Sequence, residues 1–111
     1  MELLETALLL VIAHGIADFT LQPAAMVAGK SRHNEVHKQA NTDFPAWYYW
    51  MTAHSLNHGF AVYLVTGSFT FCIIESTLHW IFDYLKCEGR INFHQDQALH
   101  LGCKVGYCFF L

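Results

Sequence analysis

Apolar residues dominate four long stretches of the chain, and polar residues gather between them. No Asp, Glu, Lys or Arg occurs between Asp43 and Glu75, a run of 31 residues. This run exceeds the roughly 20 residues that one membrane-spanning helix needs, and Thr66-Gly67-Ser68 inside it is typical of a turn. Pro23 indicates a helix end and Asn92 a helix start. The pattern predicts four helices and a polar loop, at about residues 2–22, 44–65, 68–87 and 92–111 for the helices and 23–43 for the loop.

The composition of the chain, together with this pattern, indicates its fold class. Hydrophobic residues make up 54% of the 111 residues and charged residues only 14%, against about 25% charged in a typical soluble domain. Disorder is therefore excluded. The aromatic cluster Trp47-Tyr48-Tyr49-Trp50 lies where an interfacial belt is expected. We predict a single all-α domain over residues 1–111, a membrane-embedded four-helix bundle; a very hydrophobic soluble bundle is the alternative.

The positive charges indicate an orientation. Most Lys and Arg residues fall in two predicted connections, which share one side of a four-pass bundle: Lys30, Arg32 and Lys38 in the first, Lys86 and Arg90 in the second. The positive-inside rule makes that side cytoplasmic and places both termini outside. Only six Lys and Arg are present and the net charge is −3, which excludes a nucleic-acid partner.

The candidate chemistry comes from histidine and aspartate. Each predicted helix carries one pair of these residues spaced four apart: His14 and Asp18, His54 and His58, His79 and Asp83, Asp96 and His100. This spacing puts both side chains on one helix face, one turn apart. The three aspartates also lie at matching depths, about 6 Å inside their predicted helix ends. We expect the eight residues to form one layer near the cytoplasmic leaflet.

Five imidazoles and three carboxylates are more ligands than one tetrahedral zinc ion takes. They suit two divalent ions, with a bridging Asp and open positions for water or substrate. The mixed nitrogen and oxygen set favours Zn, Mn or Fe. Hydrogen bonding from helix to helix is the alternative use of such residues.

Other polar residues flank this layer. Gln22 and Gln97 are candidates for hydrogen-bonding the metal ligands. Glu75 continues the stripe of His79 and Asp83, so Glu75 and Asp83 are the candidate catalytic carboxylates, although Glu75 equally suits a polar pocket with Lys104. Lys86 is a candidate for binding an anionic substrate group, or a positive-inside anchor.

Four motifs carry a resemblance to a known family, in this order along nearly the whole chain: His14-Gly-Ile-Ala-Asp18-Phe-Thr-Leu-Gln22, His54-Ser-Leu-Asn-His58, His79-Trp-Ile-Phe-Asp83-Tyr-Leu-Lys86 and Asp96-Gln97-Ala-Leu-His100. The sequence resembles domain-of-unknown-function family 3307, small multi-pass membrane proteins of bacteria and phages. The resemblance implies a location in the bacterial inner (cytoplasmic) membrane and implies no reaction.

The residues favour an integral membrane metalloprotein that hydrolyses an ester or phosphoester with a metal-activated water. Its substrate would be a lipid headgroup or a small soluble molecule, and its immediate partner is membrane lipid. Two alternatives stay open at this stage. One is a metal or proton transporter, and the other is a non-enzymatic phage or bacterial membrane factor with a structural metal site.

Overall fold

The computed structural model describes residues 2–38 and 43–110, and it is all-helical over those residues. Five α-helices follow one another along the chain, with a π-helical turn at Ile16–Thr20 and a 3₁₀ turn at Glu35–Lys38. The α-helices are α1 Leu3–Gly15, α2 Ala24–Gly29, α3 Trp47–Thr66, α4 Phe69–Cys87 and α5 Phe93–Cys108.

The four long helices pack as a ring in which α1 contacts α3 and α5, and α4 contacts α3 and α5. Only Gly67 and Ser68 separate α3 from α4, so these two helices are antiparallel neighbours. Gly67 takes a left-handed conformation (φ 69°) and its N–H donates to Tyr63 O at 2.7 Å. The Ser68 hydroxyl then accepts from Phe71 N–H and caps α4. The predicted turn therefore has a direct physical basis.

Helix α5 begins where its sequence predicts. The Asn92 side chain accepts from the backbone N–H of Gln95, and the Gln95 side chain accepts from the backbone N–H of Asn92. This reciprocal pair is a capping box. The helix ends at Cys108 rather than at residue 111, and Leu111 lies outside the described residues.

The segment predicted as a polar loop at 23–43 is only partly a loop. Pro23 starts the short helix α2, in which Met26 is buried. Lys30, which follows that helix, is 3% exposed, although the polar composition of the segment predicts a loop or a short surface helix there. The apolar run Ala24–Ala28 after a proline was the signal for a buried helical turn here. Residues 39–42 of the predicted loop lie outside the described residues.

Beyond α2, Arg32 and His33 hold the chain against the end of α4 through Glu88, and we call this group of contacts the clasp. Arg32 Nε lies 3.0 Å from Glu88 Oε1, His33 Nε2 lies 2.6 Å from Glu88 Oε2, and the Tyr84 hydroxyl donates to Glu88 Oε1 at 3.2 Å. The hydrogen bond from Arg32 holds the pKa of the Glu88 carboxyl at about 2, below its usual 4.5. The clasp joins the connection between helices to the ring of long helices.

The apolar core is small and lies at one end of the bundle. Its buried members are Leu10, Val62, Tyr107 and Cys108. Among the described residues, thirteen buried side chains are polar or charged and seven are apolar, while 26 large hydrophobic side chains are exposed. The bundle thus has a polar interior and an apolar surface.

Of the helical stretches described, one, Leu3–Thr20, is long and apolar enough to cross a membrane. A single stretch of this kind does not establish the membrane-embedded bundle predicted from the sequence, because the core helix of a soluble protein has the same length and apolarity. The all-helical bundle itself is confirmed.

The close approach of α3 to α4 generates the first prediction. A Cβ on Gly59 would lie 2.0 Å from Ser76 Oγ and 2.7 Å from Cys72 O. We expect Gly59→Ala to lower the free energy of unfolding by about 1–3 kcal/mol, because backbone atoms must move. Gly102→Ala is the matched control, since a Cβ there meets nothing within 4 Å and alanine favours the helix by about 0.5–1 kcal/mol. Thermal unfolding of the detergent-solubilised variants measures both, and equal midpoints would contradict the close packing.

The clasp at Glu88 generates a pH prediction. A carboxyl whose pKa is lowered by folding stabilises the fold above its unfolded pKa, and this stabilisation is lost as the pH falls toward the folded pKa. Wild type should therefore have a higher thermal midpoint than Glu88→Gln. This difference should be largest above about pH 5 and should nearly disappear near pH 2. Glu35→Gln, whose exposed carboxylate pairs only with Lys38 in the same 3₁₀ turn, is the control expected to change little. A Glu88→Gln difference that persists at pH 2 would exclude the clasp as its cause.

Candidate metal centre

Each long helix turns one line of polar side chains toward the bundle axis. Along each line the residues recur every four positions, so that they stack one turn apart on one helix face. The lines are His14 with Asp18; His54 with His58; Glu75, His79 and Asp83; and Asp96, His100 and Lys104. All ten side chains belong to residues that are 5% exposed or less. The eight residues predicted as metal ligands are therefore all buried inside the bundle.

Three histidines surround the Asp18 carboxylate. Oδ1 of Asp18 lies 3.2 Å from His54 Nε2 and 3.3 Å from His58 Nε2, and Oδ2 lies 3.7 Å from His14 Nε2. Asp18, His54, His58 and His79 each offer a ligand atom, and these four atoms lie within 4.8 Å of one another. The arrangement gives a compact donor set of three imidazoles and one carboxylate.

A π-helical turn carries Asp18 into this position. The Leu21 N–H donates to Ile16 O at 2.8 Å, a bond that spans five residues instead of four. Such a turn contains one residue more than an α-helical turn, and π turns recur at functional sites. The sequence predicts an unbroken helix to Gln22, and a single sequence holds no clear signal for this extra residue.

The imidazoles stack closely on one another. Ring centroids are 3.6 Å apart for His58 and His79, and 4.0 Å apart for His79 and His100. Many buried ring nitrogens have no hydrogen-bond partner among the described residues: Nδ1 of His14, His54, His58 and His100, and both nitrogens of His79.

These nitrogens are suited to bind a cation. Leaving one buried polar atom unpartnered costs about 1–3 kcal/mol, which a bound ligand would offset. Neutral imidazole presents a lone pair, and a nearby carboxylate adds negative charge. This donor chemistry suits Zn²⁺ or a similar transition metal. The clusters of buried His and Asp could therefore hold a metal ion.

Gln97 links the carboxylates of two helices to His14. Its Nε2 donates to Asp18 Oδ2 at 2.8 Å and approaches Asp96 Oδ2 at 3.4 Å, while its Oε1 accepts from His14 Nε2 at 3.0 Å. Such contacts fix the orientation of a ligand ring and carboxylate. Gln97 thus hydrogen-bonds two of the candidate ligands, His14 and Asp18.

Gln22 differs from Gln97. Its Nε2 donates to the backbone carbonyl of Asp18 at 2.6 Å, and its Oε1 accepts from the Lys30 ammonium. Gln22 therefore holds the π turn and positions Lys30, with no bond to a ligand side chain.

Two lysines meet at Asp83. Lys30 Nζ lies 2.7 Å from Asp83 Oδ2, and Lys86 Nζ lies 3.0 Å from Asp83 Oδ1 and 3.6 Å from Asp96 Oδ2. The same Asp83 Oδ2 lies 3.5 Å from His54 Nε2. Asp96 in turn lies 3.0 Å from His100 Nε2 through Oδ1. Sequence reasoning missed Lys30 because the chain between α1 and α3 was assigned to a solvated loop.

Glu75 lies one turn deeper than His79 and pairs with Lys104. The Tyr107 hydroxyl also approaches Glu75 Oε1 at 3.5 Å. Both charged partners are 1% exposed, so the two charges compensate each other inside the bundle. Of the two roles that the sequence left open for Glu75, the structure places it in the polar pocket with Lys104. Its nearest possible ligand contact is His79 Nδ1, 3.7 Å from Oε2.

Comparison with known proteins identifies the family. The chain belongs to the family described as "Protein of unknown function (DUF3307)", whose model matches residues 6–107. This match covers nearly the whole chain and confirms the resemblance to this family. No curated protein and no solved structure matches the chain.

The buried Glu75–Lys104 pair generates a stability prediction. Lys104→Met leaves the Glu75 charge buried without its partner, and we expect a loss of about 3–5 kcal/mol in the free energy of unfolding. The double variant Glu75→Gln, Lys104→Met removes both charges and should recover much of that loss. Unfolding of the two variants in detergent measures the difference. Lys38→Met, at an exposed ion pair, controls for charge removal; a double variant no more stable than Lys104→Met would refute the pairing.

Proposed function

We propose that this protein is a multi-pass membrane metalloprotein that binds a divalent cation at its buried histidine and aspartate layer and hydrolyses an ester or phosphoester there. One observation carries the proposal. Unpartnered imidazole nitrogens and a carboxylate converge at a depth where water does not compensate them. Ionisable groups inside apolar bundles are costly and usually functional.

The polar interior and apolar surface support a membrane location. A soluble protein covers its apolar side chains, whereas this bundle exposes them around its long helices and buries polar ones. Exposed apolar side chains such as Leu8, Leu56, Phe60 and Ile73 are what a lipid-facing surface requires. Helices α3, α4 and α5 are less apolar by composition because their inward faces carry the polar lines described above. Helix α5, at 16 residues, is also short.

The distribution of accessible positive charge supports the orientation. Lys30 and Lys104 are buried. The remaining cations lie at one end of the bundle: Arg32, Lys38 and Arg90 in the two connections, and Lys86 in the last turn of α4. The positive-inside rule assigns that end to the cytoplasm of a bacterial cell and both termini to the outside. The candidate centre then lies about one turn below the cytoplasmic surface.

The contacts favour one cation over two. Asp18, His54, His58 and His79 offer four ligand atoms close enough to share one ion of Zn, Mn or Fe. Asp83, Asp96 and His100 form a second group, but both Asp83 oxygens already contact lysines. Glu75, His79 and His100 form a further group, in which Glu75 pairs with Lys104. Two ions, as the sequence predicts, would therefore require lysines to move away from Asp83 or from Glu75.

A cation at this position would supply Lewis-acid activation of water and of the scissile bond. The chain supplies the proton chemistry. The Asp96–His100 pair is arranged as a base with its orienting carboxylate, because Asp96 contacts Nε2 and leaves Nδ1 of the same ring available for a proton. The predicted catalytic Asp83 is better placed to position the two lysines, and Glu75 to compensate Lys104.

Transport is disfavoured by the apolar end of the bundle. Leu10, Val62, Tyr107 and Cys108 fill the axis beyond the polar layer, so no polar path continues through these residues. A structural metal in a non-enzymatic membrane factor is the second candidate, because four protein ligands complete a tetrahedral shell. The further polar groups around the layer, Gln97 and the two lysines, exceed what such a shell needs and favour the enzyme.

Metal content tests the proposal. We expect protein purified in detergent to hold about one Zn, Mn or Fe ion per chain by elemental analysis, as the single donor set implies. Asp18→Asn and His79→Gln should each lower the content at least about tenfold, as loss of one ligand does. His94→Gln is the matched control, because His94 is exposed on α5 and should leave the content unchanged. Wild-type protein without metal would refute the proposal, and equal loss in the His94 variant would refute the assigned ligands.

A further inference from the structure

Two ammonium groups lie beside the candidate metal centre. Lys30 is 3% exposed and comes from outside the ring of long helices, while Lys86 is half-buried on α4. Both contact the carboxylate of Asp83, and Lys86 Nζ also lies 3.6 Å from Asp96 Oδ2. The two positive charges therefore face two carboxylates of the layer, next to the proposed metal ligands.

From this geometry we propose that Lys30 and Lys86 form the binding site for the oxyanion of the substrate, a phosphate ester. The inference rests on the proposed function and names its substrate class. It also assigns a role to Lys30, a residue outside the four family motifs. The two lysines are substrate-binding residues, and Asp83 and Gln22 are positioning residues that hold the ammonium groups.

Distance supports this assignment. Asp83 Oδ2 touches both Lys30 Nζ at 2.7 Å and His54 Nε2 at 3.5 Å. One carboxylate oxygen therefore separates the lysine from a proposed metal ligand. A phosphoryl group bound at the centre through one oxygen has its other oxygens within reach of this ammonium group, and ammonium is a common protein ligand for phosphate.

Charge supports it independently. Around the layer, Asp18, Asp83 and Asp96 carry three negative charges, and Lys30 and Lys86 carry two positive charges. These five groups together carry a net charge of −1. When a divalent cation binds and its imidazole ligands stay neutral, the net charge of the layer becomes +1. Burying a net charge is unfavourable, so the loaded centre favours an anion with a single negative charge. A phosphodiester has that charge.

Access is the third step. Lys86 has a side-chain exposure of 23%, whereas the histidines behind it are 4% exposed or less. Arg32 and Arg90 lie in the connections at the same end. An anionic group approaching from that end meets these cations before it meets the metal ligands. Lipid phosphodiester headgroups and soluble phosphoesters share this chemistry.

Binding of inorganic phosphate to the metal-loaded protein in uncharged detergent tests the inference, with calorimetry as the measurement. We expect Lys30→Met and Lys86→Met each to weaken phosphate binding at least about tenfold, with the metal content unchanged. Lys38→Met is the matched control, because Lys38 is an exposed lysine paired with Glu35, and it should bind as wild type does. Because the Lys86 side chain is half-buried, we expect the Lys86→Met variant to fold even if the Lys30→Met variant does not.

A second arm distinguishes the two sources of the oxyanion. Mixed micelles with phosphatidylglycerol replace inorganic phosphate, and micelles with uncharged diacylglycerol serve as the blank. Binding of the phospholipid alone assigns a lipid headgroup, and binding of both probes assigns the shared phosphoryl chemistry. In either case, Lys30→Met and Lys86→Met must weaken binding of the probe.

Two results would overturn the inference. One is metal-loaded wild type that binds neither probe, and the other is binding that survives both lysine substitutions. In each case the metal proposal stands, because the metal content is measured separately. Protein that holds no metal would instead refute the proposed function itself.

Discussion

The structure depends on compensating polar groups in an interior that admits little water. Ten His, Asp, Glu and Lys side chains point inward from the four long helices, and each must find a partner or a ligand. Spacing of four residues places these side chains in levels along the bundle axis. At the level near α2, Asp83 pairs with Lys30. On the other side of the histidines, Glu75 pairs with Lys104. Among these ten side chains, the nitrogens without a hydrogen-bond partner all belong to the histidines between these levels. These nitrogens are the groups that the proposed cation would satisfy.

Much of this arrangement was predictable from the sequence, because the relevant signals are local. Spacing of four residues defines a helix face, and Gly67 and Asn92 define a turn and a helix start. The antiparallel order of α3, α4 and α5 then brings His54, His79 and His100 to neighbouring levels. Nothing beyond helical geometry and short connections is needed for that step.

The features that sequence reasoning missed depend on tertiary contacts or on a rare backbone form. Lys30 looks like a solvated loop residue until Asp83 of a distant helix is placed beside it. The π turn around Asp18 changes the register of a single turn, which no periodicity over four residues reveals. The pairing of Glu75 with Lys104 was one of two options, and only the packing of α4 against α5 decides between them.

The same interior explains why the centre lies near one end of the bundle. An enzyme that acts on a charged substrate from within an apolar surface must shorten the path over which that charge loses its hydration. Here the apolar side chains of Leu10 and Val62 fill one end of the axis, and Lys86 remains partly exposed near the other. In the proposed site, Lys30 and Lys86 would replace water as partners of an incoming oxyanion, and the Asp83 carboxylate contacts both ammonium groups. A site prepared in this way selects for an anionic group by charge, while the apolar surface around the bundle keeps the same site within reach of lipid headgroups.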